Sequence, residues 1–480
     1  MESINLCGRR VIYSDYESVT RENVIDILKE ALPIHLENSA EINFLYRYYK
    51  GKQPIRNRKK DIRDNINNKV IVNRANEIVS FKTGYLIGNP VQYVCREGEN
   101  DDINTLNDYM FIEDKAAKDK ELADWFYICG TAYRFIRANE TTEEEKSPFD
   151  VYTLDPRYTF VVYSNTIEHK PLMGVTYIKR KNGTFVYYVY TENTFYQIES
   201  SGVLKTSIVD GKVVAIKDYI PVGVPIIEYP ANSSRLGAFE IVITLLDAIN
   251  TVESNRIDGV EQFVQALFIL FGTTLEDSEG NTISIGQILN EGGIALPEGT
   301  DAKYLTQELN QTQTQTLIDD MYETVLTICG MPNRNGGTST SDTGTAVLLR
   351  DGWSSAEARA LDVERLFDVS EKHFLSLAIE IMNTKRDKHL TLSAIEIKFT
   401  RRNYENIQAK AQVLTTLLAN DKVHPLLAYE YSGMFTDPLA SYTMSMAYFN
   451  EKKEQTKNEL KAFMQTEENS QKEEINNDAV

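Results

Sequence analysis

Residues 236–271, LGAFEIVITLLDAINTVESNRIDGVEQFVQALFILF, are long, periodic and free of proline. Apolar side chains fall at Phe239, Val242, Leu246, Ile249, Ile257, Val260, Val264, Leu267 and Phe271. Steps of three and four of this kind mark one buried stripe of a helix, here interrupted once at Glu253. A single helix of that length reaches on the order of 50 Å at 1.5 Å per residue, too long for one small core, so the stretch reads as a strut. Its other face carries Glu240, Asp247, Glu253, Asp258 and Glu261 against a single Arg256. A return helix expected over 307–330 adds Glu308, Asp319, Asp320 and Glu323 with no Lys or Arg. Solvated helices commonly mix signs to gain i,i+4 pairs, so a face of one sign is either a plain acidic surface or a face with a task.

The rest of the chain sets the frame for that strut. Its 480 residues exceed what one core serves, which predicts two or three domains. With 42% hydrophobic and 25% charged residues, the composition is that of an ordinary globular protein. A net charge of −19 argues against a general nucleic-acid binder, which shows a basic footprint. Cys7, Cys95, Cys129 and Cys329 stand apart and the five histidines are scattered. This suggests neither zinc nor a disulfide framework and fits assembly in a reducing cytoplasm. No N-terminal apolar segment or 18-residue apolar run is present, and a soluble protein is expected.

In chain order, ENVIDILKEAL and AEINFLYRYYK read as two helices separated by a break from Pro33 to Ser39. A basic stretch follows, with Arg47, Lys50, Lys52, Arg56, Arg58, Lys59, Lys60 and Arg63 among Tyr46, Tyr48 and Tyr49. It suits either phosphate holding with base stacking or a solvated link. Helices are expected before Gly84 or Gly88 and over 102–130. Short Tyr-, Val- and Ile-rich segments from TAYRFIRA to VVAIKDYI then predict an antiparallel sheet domain to about residue 230. Val214-Ala215-Ile216-Lys217 matches a kinase strand signature, but no glycine-rich loop, HRD or DFG accompanies it. The segment Gly336 to Gly344 lacks the GK[ST] of a phosphate loop. Residues 272–306 are turn-rich, and NRNGGTSTSDTG (333–344) predicts a mobile loop. A second long helix is expected from Thr345 to about Lys385, with Asp351-Gly352 as a kink or the true start. Helices over 403–464, broken at His424-Pro425 and Asp437-Pro438, and a disordered tail over 465–480 complete the reading.

Several segments, taken in order, carry a resemblance. Tyr48-Tyr49-Lys50-Gly51-Lys52, Asn73-Arg74-Ala75-Asn76-Glu77-Ile78, Lys82 through Pro90, Asp155-Pro156, Val224 through Tyr229 and Met331-Pro332 resemble the portal proteins of tailed bacteriophages, of the type found in siphophages of Gram-positive hosts. The resemblance covers roughly residues 40–400. It implies a mainly helical α+β subunit with a wing over 1–235, built of N-terminal helices and an antiparallel sheet. A stem would follow over 236–271 and 307–332, with a clip over 272–306 and a tunnel loop over 333–353. A long wing helix and strand would occupy 354–400 and a crown 401–464. It further implies a ring, typically of about twelve subunits, at one capsid vertex. That ring would conduct double-stranded DNA and dock the terminase large subunit, the major capsid and scaffolding proteins and a head-completion adaptor. The expected location is the virion, after assembly in the host cytoplasm, with no cofactor, no metal, no membrane and no catalytic residues.

Under that reading an acidic stem repels phosphate and lets DNA slide, and a ring sums the field over its subunits. Asp247, Glu253, Asp258, Asp319, Asp320 and Glu323 are then channel-lining candidates. Arg334, Asn335, Thr338, Ser339, Thr340, Ser341 and Arg350 are tunnel-loop candidates for DNA contact. Glu276, Asp277, Glu279 and Asn281 are clip-interface candidates. A structural head or tail component without DNA passage is the main alternative. A DNA-processing enzyme is the lesser one, since Asp101-Asp102 and Asp319-Asp320 bring no third metal ligand with them.

Overall fold

A 26-residue helix, α1 (Val24–Tyr49), follows a short strand, β1 (Ile12–Ser14), and joins two hydrophobic cores. The break expected at Pro33 to Ser39 is absent. Buried positions run through the proline at Leu28, Ala31, Leu32, His35, Asn38, Ile42 and Leu45, the spacing of one helical face. Proline in a helix interior costs about 3 kcal/mol, and burial of a stripe this long outweighs it. The polar members of the stripe hide it in the sequence, and each is packed against a partner that does not belong to the helix. Asn38 accepts from the Arg10 N–H at 3.0 Å and donates to the Arg10 carbonyl at 2.8 Å, and His35 stacks on Phe160 with centroids 4.4 Å apart.

The computed structural model describes residues 8–61, 64–96, 100–140, 143, 146–204, 211–219, 223–264, 267–271, 301–305, 311–333, 352–400, 407–435 and 437–477. After α1 come α2 (Arg74–Leu86), β2 (Gln92–Cys95), α3 (Asp101–Ile112) and α4 (Lys115–Cys129). The strands are β3 (Thr131–Ala138), β4 (Phe149–Leu154), β5 (Thr159–Ser164), β6 (Pro171–Lys179), β7 (Phe185–Tyr190), β8 (Thr194–Ser200), β9 (Gly211–Asp218) and β10 (Ile226–Pro230). The expected strands all form, in two sheets rather than one. The larger has the order β1-β5-β6-β7-β8-β9, with β1 parallel to β5 and the other pairs antiparallel; the smaller is β10-β3-β4. Strand β5 shows why both faces matter. Phe160 and Val162 join α1 in one core, while Val161 between them packs with Tyr133, Phe135 and Ile226 of the smaller sheet.

The second, larger core gathers the C-terminal half of α1 with α2, α3 and α4, and receives the base of the strut. The strut opens with a 3-10 turn at Glu240–Val242 and continues as α5 (Ile243–Val264). Helix does not extend to residue 271 as the sequence suggests. Leu267–Phe271 is strand β11, paired antiparallel with β12 (Asp301–Leu305). An unbroken apolar run such as LFILF suits either element, and its aromatic and β-branched members fit a strand. The return helix α6 spans Gln311–Cys329. Helix α7 (Trp353–Arg386) starts after Gly352, whose φ of +83° is a conformation glycine reaches without strain. Strand β13 (Ile395–Lys398) pairs with β2, and α8 (Ile407–Leu418), α9 (Pro425–Ser432) and α10 (Pro438–Asn477) close the chain. From 465 to Asn477 the expected disordered tail is instead part of α10, and 478–480 lie outside the described residues. From Leu439 onward that segment contains no Gly or Pro and is rich in Glu, Lys and Gln, all good helix formers. The strut is aimed from a tight crossing at Gly130, where φ is +85° and a Cβ would lie 1.9 Å from the Arg235 carbonyl oxygen.

Candidate functional site

The strut is anchored at its base by apolar packing. Leu246 and Ile249 of α5 share the large core with Val325, Leu326 and Cys329 of α6. Beside them the carboxylate of Glu240 is buried, 2.6 Å from the Arg9 guanidinium and accepting from the Gly237 N–H at 2.8 Å. Arg9 also meets Glu41 of α1 at 3.1 Å. Seven residues further, Asp247 accepts from the Tyr48 hydroxyl at 2.8 Å, and burial raises its carboxyl above the ordinary range.

Beyond the base, residues 67–72 lie along α5 as a strap. Alternate backbone N–H groups of the strap donate to α5 side chains: Val72 to Asn250 Oδ1 at 3.0 Å, Val70 to Ser254 Oγ at 3.0 Å and Asn68 to Asp258 Oδ1 at 2.8 Å. The repeats match, because two extended residues cover roughly 6.6 Å and four helical residues about 6 Å. Asn250 further donates to Gln53 Oε1 at 2.5 Å. Backbone groups that have no sheet to join are thereby paired. At the far rung Asp258 meets Arg58 at 3.0 Å and Lys60 at 2.5 Å. Burial alone would raise its carboxyl; Lys60 and the Asn68 donors outweigh that and hold it below the usual range.

The six channel-lining candidates therefore separate. Asp258 is buried in the strap and does not line an open surface, because the cations of the basic stretch cover it. Asp247 is half-buried on Tyr48. Glu253 is also half-buried, 4.0 Å from Arg256. Asp319, Asp320 and Glu323 are exposed on α6, and Asp319 accepts from Gln315 at 2.7 Å. Part of the basic stretch is tied down rather than a free link, while Arg47, Lys50, Lys52, Arg56 and Lys59 are exposed. Tyr48 is buried, Arg58 and Lys60 clasp the strut, and Lys50 lies 5.5 Å from the Tyr46 ring centroid. The signal for the strap was present in the sequence as Asn250, Ser254 and Asp258 at four-residue spacing, where an apolar stripe should have continued. The tunnel-loop candidates Arg334, Asn335, Thr338, Ser339, Thr340, Ser341 and Arg350 and the clip candidates Glu276, Asp277, Glu279 and Asn281 lie outside the described residues.

Sequence reasoning missed a second polar centre, deep in the body. Arg134 on β3 is fully buried, ion-paired with Asp119 of α4 and 2.9 Å from Glu371 of α7. Lys115 meets Asp119 at 2.7 Å and Glu371 at 2.9 Å. The hydroxyls of Tyr93 and Tyr229 both donate to Glu371, the latter at 2.7 Å. Two cations and two carboxylates balance, and the tyrosines fill remaining lone pairs. Burial pushes Glu371 upward, but Lys115 and Arg134 more than offset it and hold the carboxyl well below its ordinary range. The four charges lie on three separate elements, and beyond the i,i+4 pair Lys115–Asp119 no local spacing announces that they meet.

Among the described residues no group of three His, Cys, Asp or Glu is placed to hold a metal ion, and no helix is long and apolar enough to cross a membrane. Asp101 and Asp102 sit in the first turn of α3, with Asp102 2.8 Å from Lys388. A family model described as "Phage portal protein, SPP1 Gp6-like" matches residues 28–465. No curated protein matches the chain. Two solved structures are similar to it at 10% identity, each comparison covering 83% of this chain and 94% of the other. They are described as "Neck of empty GTA particle computed with C6 symmetry", with a TM-score of 0.43, and "Virion of native gene transfer agent (GTA) particle", with a TM-score of 0.42.

Proposed function

The chain belongs to the phage portal protein family, SPP1 Gp6-like, and from that membership we propose that it forms a closed ring at one capsid vertex, through which double-stranded DNA enters and leaves. The family is structural rather than enzymatic. The observation that carries the reading is the family match across 28–465, which includes both strut helices and the core they rise from. The electrostatics support it. Helix α6 has no Lys or Arg between Gln311 and Cys329 and exposes Asp319, Asp320 and Glu323. A wall of carboxylates repels phosphate and avoids the counterion release that fixes DNA to cationic surfaces.

Of the strut's carboxylates, these three on α6 are the ones we assign to the channel wall, with Glu253 beside them. The loop over 333–353 is the proposed inner contact to DNA, and 272–306 the proposed docking module for a packaging terminase and a head-completion adaptor. Major capsid and scaffolding proteins are the proposed neighbours of the ring. Replacing Asp319, Asp320 and Glu323 with Lys should leave ring assembly intact, raise DNA affinity in a salt-dependent way and slow packaging. Rings of this triple variant that bind DNA no better than the parent would remove the low-friction wall from the account.

A further inference from the structure

The apolar packing of the strut stops partway along it. On α5 the large core ends at Ile249, and on α6 its members begin at Met321; among the described residues of the strut beyond them, Ile318 alone is a buried apolar side chain. Past that line the inward positions of α5 are Asn250, Ser254 and Asp258, buried but polar. Ile257 and Val260, which could have extended the seal, are exposed. Apart from Ile318, what holds the distal half is the strap, through hydrogen bonds and one carboxylate shared by two cations. Such contacts exchange with water at small net loss, whereas apolar contacts do not. The Arg58 and Lys60 side chains are 14% and 21% exposed, so their release does not strand a charge in the interior.

We propose that residues 67–72 are a latch on the strut, holding the distal hairpin against the body and releasing it as a unit about a hinge at Ile249 and Met321. The hairpin comprises residues 250–264 of α5 and 311–320 of α6, which are tied across by Arg256 donating to Gln315 Oε1 at 2.7 Å. The base stays packed while the hairpin swings, because Leu246, Ile249, Val325 and Leu326 remain in the core. A four-residue slide along the strap is excluded by the same packing, since it would place Asn250 and Glu253 where Leu246 and Ile249 are buried. Motion is thus confined to opening. Only its purpose, letting a channel wall yield around a moving duplex, rests on the portal reading.

Hydrogen–deuterium exchange of the full-length protein tests the latch directly. Asp258→Asn keeps the side chain's shape and its acceptor for Asn68 but removes the charge that holds Arg58 and Lys60. Amides of 254–262 and 315–320 should exchange up to about fivefold faster, with 243–249 and 322–329 unchanged. Raising salt should speed the same distal amides in the parent and have less effect in Asp258→Asn, because screening acts on the ion pairs. Ser254→Ala, which removes one neutral rung, should give the same local pattern more weakly, and Asp320→Asn should give none. An equal change in proximal and distal segments, or no change in either, overturns the latch. A failure to form rings would leave these rates untouched, so the two readings fall separately.

Discussion

Two centres in this protein use the same chemistry at different depths. Around Glu371, two carboxylates and two cations are sealed in the body between α4, β3 and α7. Around Asp258, one carboxylate holds two cations at the rim of the strut. Losing one partner in the body leaves an uncompensated charge where water cannot reach, while losing one at the rim leaves groups that rehydrate. Buried ionic networks are not cheap stability, and the one at Glu371 is best understood as fixing which elements meet. The rim clasp fixes a position that can be given up. The difference assigns rigidity to the body and adjustability to the distal strut.

The comparison breaks most readily at its deep end. Glu371→Ala leaves Lys115 and Arg134 sharing the single carboxylate of Asp119, one buried positive charge uncompensated, and we expect a loss of about 3–5 kcal/mol in chemical denaturation. A smaller cost at the rim is the counterpart: Asp258→Asn should lower global stability by about 1 kcal/mol at most. Equal losses at the two sites would erase the distinction between them.

Between these lies a pH effect. Burial pushes His35 down to about 4 from an ordinary 6.5, so the folded state keeps it neutral while the unfolded state takes up a proton. Stability is therefore unaffected above pH 6.5 and is lost as the pH falls from 6.5 toward 4, by about 3 kcal/mol over that window. His35→Phe, placed against Phe160, should flatten that slope, as followed by denaturant midpoints at each pH. The carboxylates at Glu371 and Asp258 have lowered values, so their contributions are present in full above the ordinary carboxyl range, begin to fade as the pH falls through 4.5 and 3.8 respectively, and are lost at more acid pH.

The smallest stability effect is expected on α6. Asp320→Lys with Glu323→Lys should change folding by less than about 0.5 kcal/mol, because both are exposed. Thermal denaturation and DNA retention, measured on the same sample, should then move independently. A large thermal shift would mean that these carboxylates serve the fold rather than the channel.

Much of the architecture was legible in the sequence because it is written in local periods. The strand segments from Thr131 to Asp218 and the stop of α6 before Gly330 and Pro332 follow from spacing and from glycine or proline, and Gly352 was one of the two starts offered for α7. What was not legible depends on partners distant in the chain. Pro33 gave a break that tertiary burial overrides, and Leu267 to Phe271 gave a helix that becomes a strand through pairing with residues 301–305. Asp258 looked like one of a row of channel carboxylates, and only the return of the strap from about 190 residues earlier reveals it as an anchor. The hub at Arg134 and Glu371 joins residues 237 apart and leaves no trace in either neighbourhood.

The central claim is that copies of this chain close around an open axis. Negative-stain imaging of the purified full-length protein, with native mass measurement on the same sample, tests it most directly. The account predicts a closed ring of uniform subunit number with a central opening wide enough for duplex DNA. A population of monomers at every salt and protein concentration, or closed particles without an axial hole, would contradict it.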